Sequence, residues 1–458
     1  MKLRILNPAT AALLTEVDAD DAASIQAKFA RARAAQPQWA RTPLAQRLAS
    51  IEKFRDLLAE NRERLAKTLT SEVGKPITQA RNELNAMPAR LDFFLQNTAR
   101  VIQDETVVTR PAQHLEERIS HEPLGVIGNI SAWNYPYFVG SNVFIPALLT
   151  GNAVLYKPSE FATLTGLAIT ELLHRAGIPA DIFIPIIGGA AAGTALLQQP
   201  LNGVFFTGSY ATGQKIAQAV ASRLIKLQLE LGGKDPAYVC DDVDVAQTAA
   251  ALADGAFYNT GQSCCAVERI YVHTAVYETF VAAFVETVKG FAVGDPFDDK
   301  TYIGPLARAA QLAVLDAQVA DAKAKGARLL CGGGRLPGPG FFFAPTVFTD
   351  TDHSMTLMRE ESFGPLIGIQ RVRDDAHALE LMNDTDYGLT ASIYTQDAQR
   401  ASELLAQVNA GTVYWNCCDR VSPHLPWSGR GNSGVGCTLS TYGIQTFVQP
   451  KAWHLKQR

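Results

Sequence analysis

The 458-residue sequence has no apolar run long enough to cross a bilayer, no strong excess of either charge, and no regular metal-binding spacing of Cys or His. A transmembrane helix needs about 20 consecutive apolar residues. The best stretch, Val143 to Tyr156, is shorter and is interrupted by Pro146, Gly151 and Asn152. The N-terminal MKLRILNPAT lacks the apolar centre of a secretory signal, so a cytoplasmic location is expected. Forty-one Lys+Arg against 45 Asp+Glu leave a formal charge of −4, and hence no basic field to hold a nucleic-acid backbone. The seven cysteines, at 240, 264, 265, 331, 417, 418 and 437, form no CxxC, and the eight His residues form no HExxH. Reduced thiols and no metal are therefore expected.

What is present is the material of a compact folded chain: 47% hydrophobic, 9% aromatic and 19% charged residues. At about 150 residues per domain, the length fits two or three domains. Apolar positions from Pro43 to Leu69 recur at three or four, which predicts a long amphipathic helix. From about residue 123, short apolar runs (125–130, 153–156, 182–187, 204–206, 225–229) alternate with helical stretches, and a second alternating block follows residue 233. Such alternation predicts α/β domains with parallel sheets covered on both faces, which bind ligands at the carboxyl ends of their strands. The passage Thr106 to His121 and the stretch Ile444 to Trp453 have strand-like composition outside both blocks.

Several strand ends carry candidate chemistry. Gly208-Ser-Tyr-Ala-Thr-Gly213 follows one apolar run and opens a helix, so its amides face a phosphate or simply turn the chain. A GxGxxG fingerprint is absent there, and Gln214 stands where a Walker lysine is needed. Lys157-Pro-Ser-Glu160 ends another run and offers ribose partners, although a solvated polar turn fits equally well. Asn259-Thr-Gly-Gln-Ser-Cys264-Cys265 presents a thiol at a loop; thiolates are nucleophiles only in polar, partly exposed settings. Glu230, before Gly232-Gly233, has the place of a general base, and Asn134 in Trp133-Asn-Tyr-Pro136 that of an oxyanion donor.

Together these segments resemble the aldehyde dehydrogenase superfamily over essentially the whole chain. The motifs are PLGVIGNISAWNYP (123–136), GNAVLYKPSE (151–160), VFFTGS (204–209), LELGGKDP (229–236), NTGQSCCAVER (259–269), EESFGP (360–365) and SPHLPWSGRGNSGVG (422–436). Glu230 lies 34 positions before Cys264 and Glu361 lies 97 after it, gaps that are similar to the family's. The resemblance implies two doubly wound domains and a protruding β arm for oligomerisation. The cofactor-binding domain would comprise 1–104 and 122–231, the catalytic domain 232–440, and the arm 105–121 and 441–458.

It also implies a mechanism: Cys264 adds to the aldehyde, Asn134 and the Cys264 backbone N–H stabilise the alkoxide, hydride leaves to NAD(P)⁺, and Glu230 activates water against the thioester. Lys157, Ser159 and Glu160 would meet the adenosine ribose, Gly208 and Ser209 the pyrophosphate, and Glu361 the nicotinamide ribose. Trp133, Leu231, Gln311 and Phe363 would line the same cleft. A carboxylate at Glu160 favours NAD over NADP. A homodimer or dimer-of-dimers tetramer is implied.

Ala132, Ser428, Cys437 and Leu439 depart from the family's pattern, in regions that bear on substrate and assembly. A CoA-acylating relative would lack the base that Glu230 supplies; a thiol esterase would not need the cofactor contacts; a non-catalytic binding protein would not need Cys264 or Asn134. The substrate pocket is expected at Tyr135, Asn142, Tyr258, Cys265 and Trp427. Succinate-semialdehyde dehydrogenases carry Arg where this chain has Asn142 and Tyr258, so efficient use of that substrate is not expected unless Arg420 or His424 substitutes. Tyr135 and Trp427 match two walls of the aromatic box of aminoaldehyde dehydrogenases, but the wall at Asn142 is missing. An uncharged or modestly polar aldehyde is the resulting expectation.

Overall fold

A computed structural model describes residues 2–110 and 114–456. Two sheets form the body. The first has six strands in the order β17-β9-β8-β5-β6-β7. These are β5 (Val126–Ile130), β6 (Ala153–Lys157), β7 (Phe183–Pro185), β8 (Gly203–Thr207), β9 (Lys226–Glu230) and β17 (Gly434–Val435). All its pairings are parallel except β17 on β9. Every residue of β5, β6 and β8 is buried, as continuous apolar strands covered on both faces require.

The second sheet has seven strands in the order β12-β13-β14-β11-β10-β15-β16. They are β10 (Pro236–Val239), β11 (Arg269–His273), β12 (Arg328–Cys331), β13 (Thr346–Thr349), β14 (Leu366–Val372), β15 (Thr390–Tyr394) and β16 (Thr412–Trp415). Only β12 on β13 is antiparallel. A small hairpin, β1 (Lys2–Leu6) with β2 (Leu13–Asp18), opens the chain.

The arm is a three-stranded antiparallel sheet of β3 (Glu105–Arg110), β4 (Leu115–Pro123) and β18 (Val448–Lys456), with β4 in the middle. Residues 111–113 and 457–458 of the expected arm lie outside the described residues.

Three boundaries differ from the sequence expectation. The single helix expected over 43–69 is two, Leu44–Glu60 and Arg62–Val73. Between them the Asn61 side chain donates to the Leu57 carbonyl at 2.8 Å and competes with the helical ladder. The strand expected from Ile444 begins only at Val448, because Ser440–Gln445 forms a short helix. The stretch placed with the second domain up to residue 440 sends β17 back to the first sheet, where Gly434 pairs with Glu230. Trp427 and Leu439 accordingly pack into the first domain's core.

Candidate active site

In the first sheet the chain runs outward from β5 to β7, then returns to β8 on the other side of β5. This reversal leaves a crevice at the carboxyl ends of β5 and β8, where doubly wound sheets bind ligands. A cleft of about 990 Å³ opens there. Trp133 and Asn134 reach it from the end of β5, Lys157, Ser159 and Glu160 from β6, Gly208 and Ser209 from β8, and Leu231 from β9. The second domain contributes Cys264, Gln311, Glu361 and Phe363 to the same cleft.

The cleft wall carries two polar groupings among apolar residues. In one, the ammonium of Lys157 lies 3.8 Å from a Glu160 oxygen and donates to the Pro158 carbonyl at 3.3 Å; burial pushes its pKa down. In the other, Glu361 accepts from the Gly233 N–H at 3.2 Å and is pushed up to about 8, chiefly by burial. Gln311 donates to the Ser362 carbonyl at 2.6 Å, and the Ser362 and Phe363 amides donate to Glu268. Trp133 meets Phe363 edge-on at 5.5 Å between ring centres.

These residues fit a dinucleotide. The helix Tyr210–Val220 begins at Ser209 on the cleft wall, presenting amides to an anion. A Cβ on Gly208 would lie 2.5 Å from the Phe206 ring, and one on Gly232 would lie 2.4 Å from the Glu361 carboxylate. Larger residues at these positions would disturb the wall that a ligand backbone approaches.

Cys264 is held by an unusual loop. After helix Val245–Phe257 the chain passes through Asn259 and Thr260, both buried and both at positive φ (54° and 60°). Such strain persists only where the surroundings over-determine it. Here Gln262 is the hub: its side chain accepts from the Ala307 N–H and donates to the Asn259 and Pro305 carbonyls. The Gln262 carbonyl in turn accepts from the Asn259 amide at 3.0 Å and the Asn134 amide at 3.1 Å. The side chain of Asn134 is thereby oriented two residues from Cys264, with a second N–H not used by that bond.

The two adjacent thiols are not equivalent. Cys264 is partly exposed on the cleft wall, whereas Cys265 is buried and its thiol donates to Asp419 at 2.9 Å.

Glu230 is buried and is not part of the cleft wall. Its carboxylate accepts from the hydroxyls of Thr438 and, at 3.4 Å, Thr207. Burial pushes it up to about 7. The structure therefore lines one cleft with Asn134 and Cys264 but leaves Glu230 off its wall, bonded to two threonine hydroxyls.

On the expected substrate side, Tyr258 accepts from the Asn82 amide at 3.2 Å, and Trp427 is buried, its backbone bonded to Thr438. Tyr135 carries the ammonium of Lys75 over its ring at 3.7 Å, so that face is already taken by a cation. Asn142 accepts from the guanidinium of Arg90 at 2.6 Å. Lys75, Arg90 and Asp419 were not apparent as site residues from sequence. Arg90 lies 52 positions before Asn142 on the helix Ile77–Ile102, and no local motif marks it. Arg308, also on the cleft wall, follows no motif either. Among the described residues no group of three or more His, Cys, Asp or Glu has metal-holding geometry, and no helix is long and apolar enough to cross a membrane.

Comparison with known proteins gives one consistent result. A family model described as the aldehyde dehydrogenase family matches residues 1–453. A Mycolicibacterium smegmatis protein, provisionally named a succinate-semialdehyde dehydrogenase [NADP(+)], is 37% identical over 441 residues, covering 95% of this chain and 85% of its own. The chloroplastic betaine aldehyde dehydrogenase of Beta vulgaris is 32% identical over 460 residues, covering 98% and 92%. Among solved structures, a 3,6-anhydro-L-galactose dehydrogenase superposes with a TM-score of 0.95 at 34% identity, covering 100% of this chain and 96% of that one.

Proposed function

The chain belongs to the aldehyde dehydrogenase family and is an NAD(P)-dependent oxidoreductase acting on aldehydes; on that premise we propose that Cys264, Asn134 and Glu230 carry the chemistry. The observation that supports this reading is the shared cleft. A partly exposed thiol and an oriented side-chain amide line one cleft together with two polar groupings suited to the riboses of a dinucleotide.

The Cys264 thiolate adds to the aldehyde carbon, and the new alkoxide accepts from Asn134 and from the Cys264 backbone N–H. NAD(P)⁺ held by the cleft residues would supply the acceptor for the hydride on that carbon. The acyl group left on Cys264 is a thioester. Glu230 then swings from the hydroxyls of Thr207 and Thr438 toward the cleft and removes a proton from water, which attacks the thioester and frees the carboxylic acid. A carboxyl near 7 is suited to this task, because it is a fair acceptor and still substantially ionised at neutral pH.

Lys157, Ser159 and Glu160 hold the adenosine ribose in this reading, Gly208 and Ser209 the pyrophosphate, and Gln311 and Glu361 the nicotinamide end, with Trp133, Leu231 and Phe363 as walls. NAD is the preferred cofactor. The domain division is 1–104 with 122–231, 232–440, and 105–121 with 441–458, modified by the return of β17. The enzyme is a cytoplasmic homodimer or dimer of dimers; the exposed Val107 on β3 and Val413 and Trp415 on β16, an edge strand, support a covered surface.

An aminoaldehyde substrate is disfavoured, since the Lys75 ammonium occupies the ring face of Tyr135 that a cationic substrate would need. The test is NAD(P)H formation at 340 nm with a panel of aldehydes, wild type against Cys264→Ala. No Cys264-dependent formation with any aldehyde would overturn the reading.

A further inference from the structure

The guanidinium of Arg90 is a buried charge with no carboxylate bonded to it among the described residues. Arg90 is 4% exposed, and its Nε has no hydrogen-bond partner. Nη1 donates to Asn142 at 2.6 Å and Nη2 to the Val421 carbonyl at 3.4 Å, both neutral acceptors. Among the described residues no carboxylate forms an ion pair with it. Lys75, the other buried cation nearby, is paired with Glu83 at 2.6 Å. Burying a cation without a carboxylate costs several kcal/mol, and burial lowers Arg90 only to about 10, so it stays charged at neutral pH.

A short chain of contacts links this charge to the loop that carries Asn134. The guanidinium carbon lies 4.4 Å from the centre of the Phe138 ring, which stacks parallel on Tyr135, the neighbour of Asn134. Phe138 and Val421, two of the residues that Arg90 touches, are only partly buried. Arg90 also feels the charges of Glu230 and Glu83. The planar fork of an arginine matches a carboxylate, to which it can donate twice.

We infer that Arg90 is a specificity residue that receives an anionic group at the far end of the aldehyde, so that the preferred substrates are aldehydes bearing a distal carboxylate. Asn142, which the sequence suggested as the loss of an arginine, positions Arg90 from the neighbouring helix. This inference rests on Cys264 being the nucleophile, and it replaces the uncharged substrate expected from sequence.

The test compares kcat/KM for 4-oxobutanoate and 5-oxopentanoate with that for butanal and pentanal, in wild type, Arg90→Lys and Arg90→Leu. Wild type should prefer an oxo acid over the neutral aldehyde of equal length. In Arg90→Leu the ratio of the two should fall by about 30-fold or more, mainly through KM for the acid, with Arg90→Lys between. A general structural role would lower both substrates alike and leave the ratio unmoved, which would overturn the inference. So would a wild-type preference for neutral or hydroxylated aldehydes.

A binding readout covers a poorly folding variant. Glutarate should raise the melting temperature of wild type, and glutaramide should not. Equal shifts by both would sink the Arg90 site. If wild type oxidised no aldehyde of the wider panel, the catalytic reading would fail, while the glutarate shift would still decide the anion site.

Discussion

The hydroxyl of Thr438 donates to the carboxylate of Glu230, and the backbone of Thr438 exchanges hydrogen bonds with that of Trp427 at 2.8 and 2.9 Å. The threonine is thus fixed by the loop around Trp427 on one side and fixes the proposed base on the other. Of the effects on Glu230, burial is the largest and raises its pKa, while the Thr438 and Thr207 hydroxyls oppose it.

A pH dependence follows with a definite sign. A raised carboxyl is protonated below about 7 and cannot take a proton from water. Steady-state kcat should therefore rise as pH increases through about 7. Thr438→Val removes a bond that favours the ionised form, so the same limb should move to higher pH. In Glu230→Gln the limb should vanish: a burst of NAD(P)H remains, and turnover falls by about 10²–10⁴-fold. Stopped-flow bursts and pH–rate profiles check this; normal turnover by Glu230→Gln would refute the role.

The two neighbouring thiols should differ sharply. Cys264→Ala should reduce both dehydrogenase and esterase turnover to background, because the reacting thiol is gone. Cys265→Ala should retain a substantial fraction, since that thiol is buried and committed to Asp419. Equal losses in initial rates would show that the assignment is wrong.

Breaking the buried pair of Lys75 and Glu83 should cost about 3–5 kcal/mol of stability, because the survivor is left as an uncompensated charge. Glu83 also accepts from the N–H groups of Tyr137 and Phe138, in the first turn of helix Pro136–Leu149. Glu83→Ala should accordingly be severe. Urea denaturation measures the loss; a midpoint equal to wild type would contradict the burial argument.

The cofactor preference depends on a pair that is already formed. A 2′-phosphate would have to meet the Glu160 carboxylate and compete for Lys157, whose ammonium faces that carboxylate. The expected order of kcat/KM is NAD above NADP, and Glu160→Gln should narrow the gap. A wild-type preference for NADP would reverse this reading of the pocket.

Assembly should depend on the arm. Val107 on β3 is 58% exposed and Trp415 on β16 is 44% exposed, large apolar groups at sheet edges. Val107→Asp should shift the oligomer toward smaller species in light scattering at micromolar concentration. A monomeric wild type would remove the basis of the prediction.

The fold was legible because its signals are local. Runs such as Val126–Ile130 and Gly203–Thr207 are mostly apolar and fully buried, and each is followed by a glycine or a polar turn that ends it. The pieces of the cleft, from Lys157 and Glu160 to Gly208 and Ser209, sit directly after those runs, so placing the strand ends places the residues. The helix break at Asn61 was less legible, because Leu58 and Leu65, seven positions apart, keep the apolar stripe in phase across it.

What the sequence determined by itself is the order of strands and helices, the loop that exposes a thiol at Cys264, and the strand ends that supply Asn134 and Lys157. These depend on period, glycine and nearest neighbours along the chain. Tertiary structure alone decided which way side chains turn once distant segments meet. It set Arg90 against Asn142, Lys75 over Tyr135, the Cys265 thiol on Asp419 and the Glu230 carboxylate on Thr438. The physical reason is common to all four. Each is a polar or charged group that burial obliges to find a partner, and that partner lies tens to hundreds of positions away along the chain.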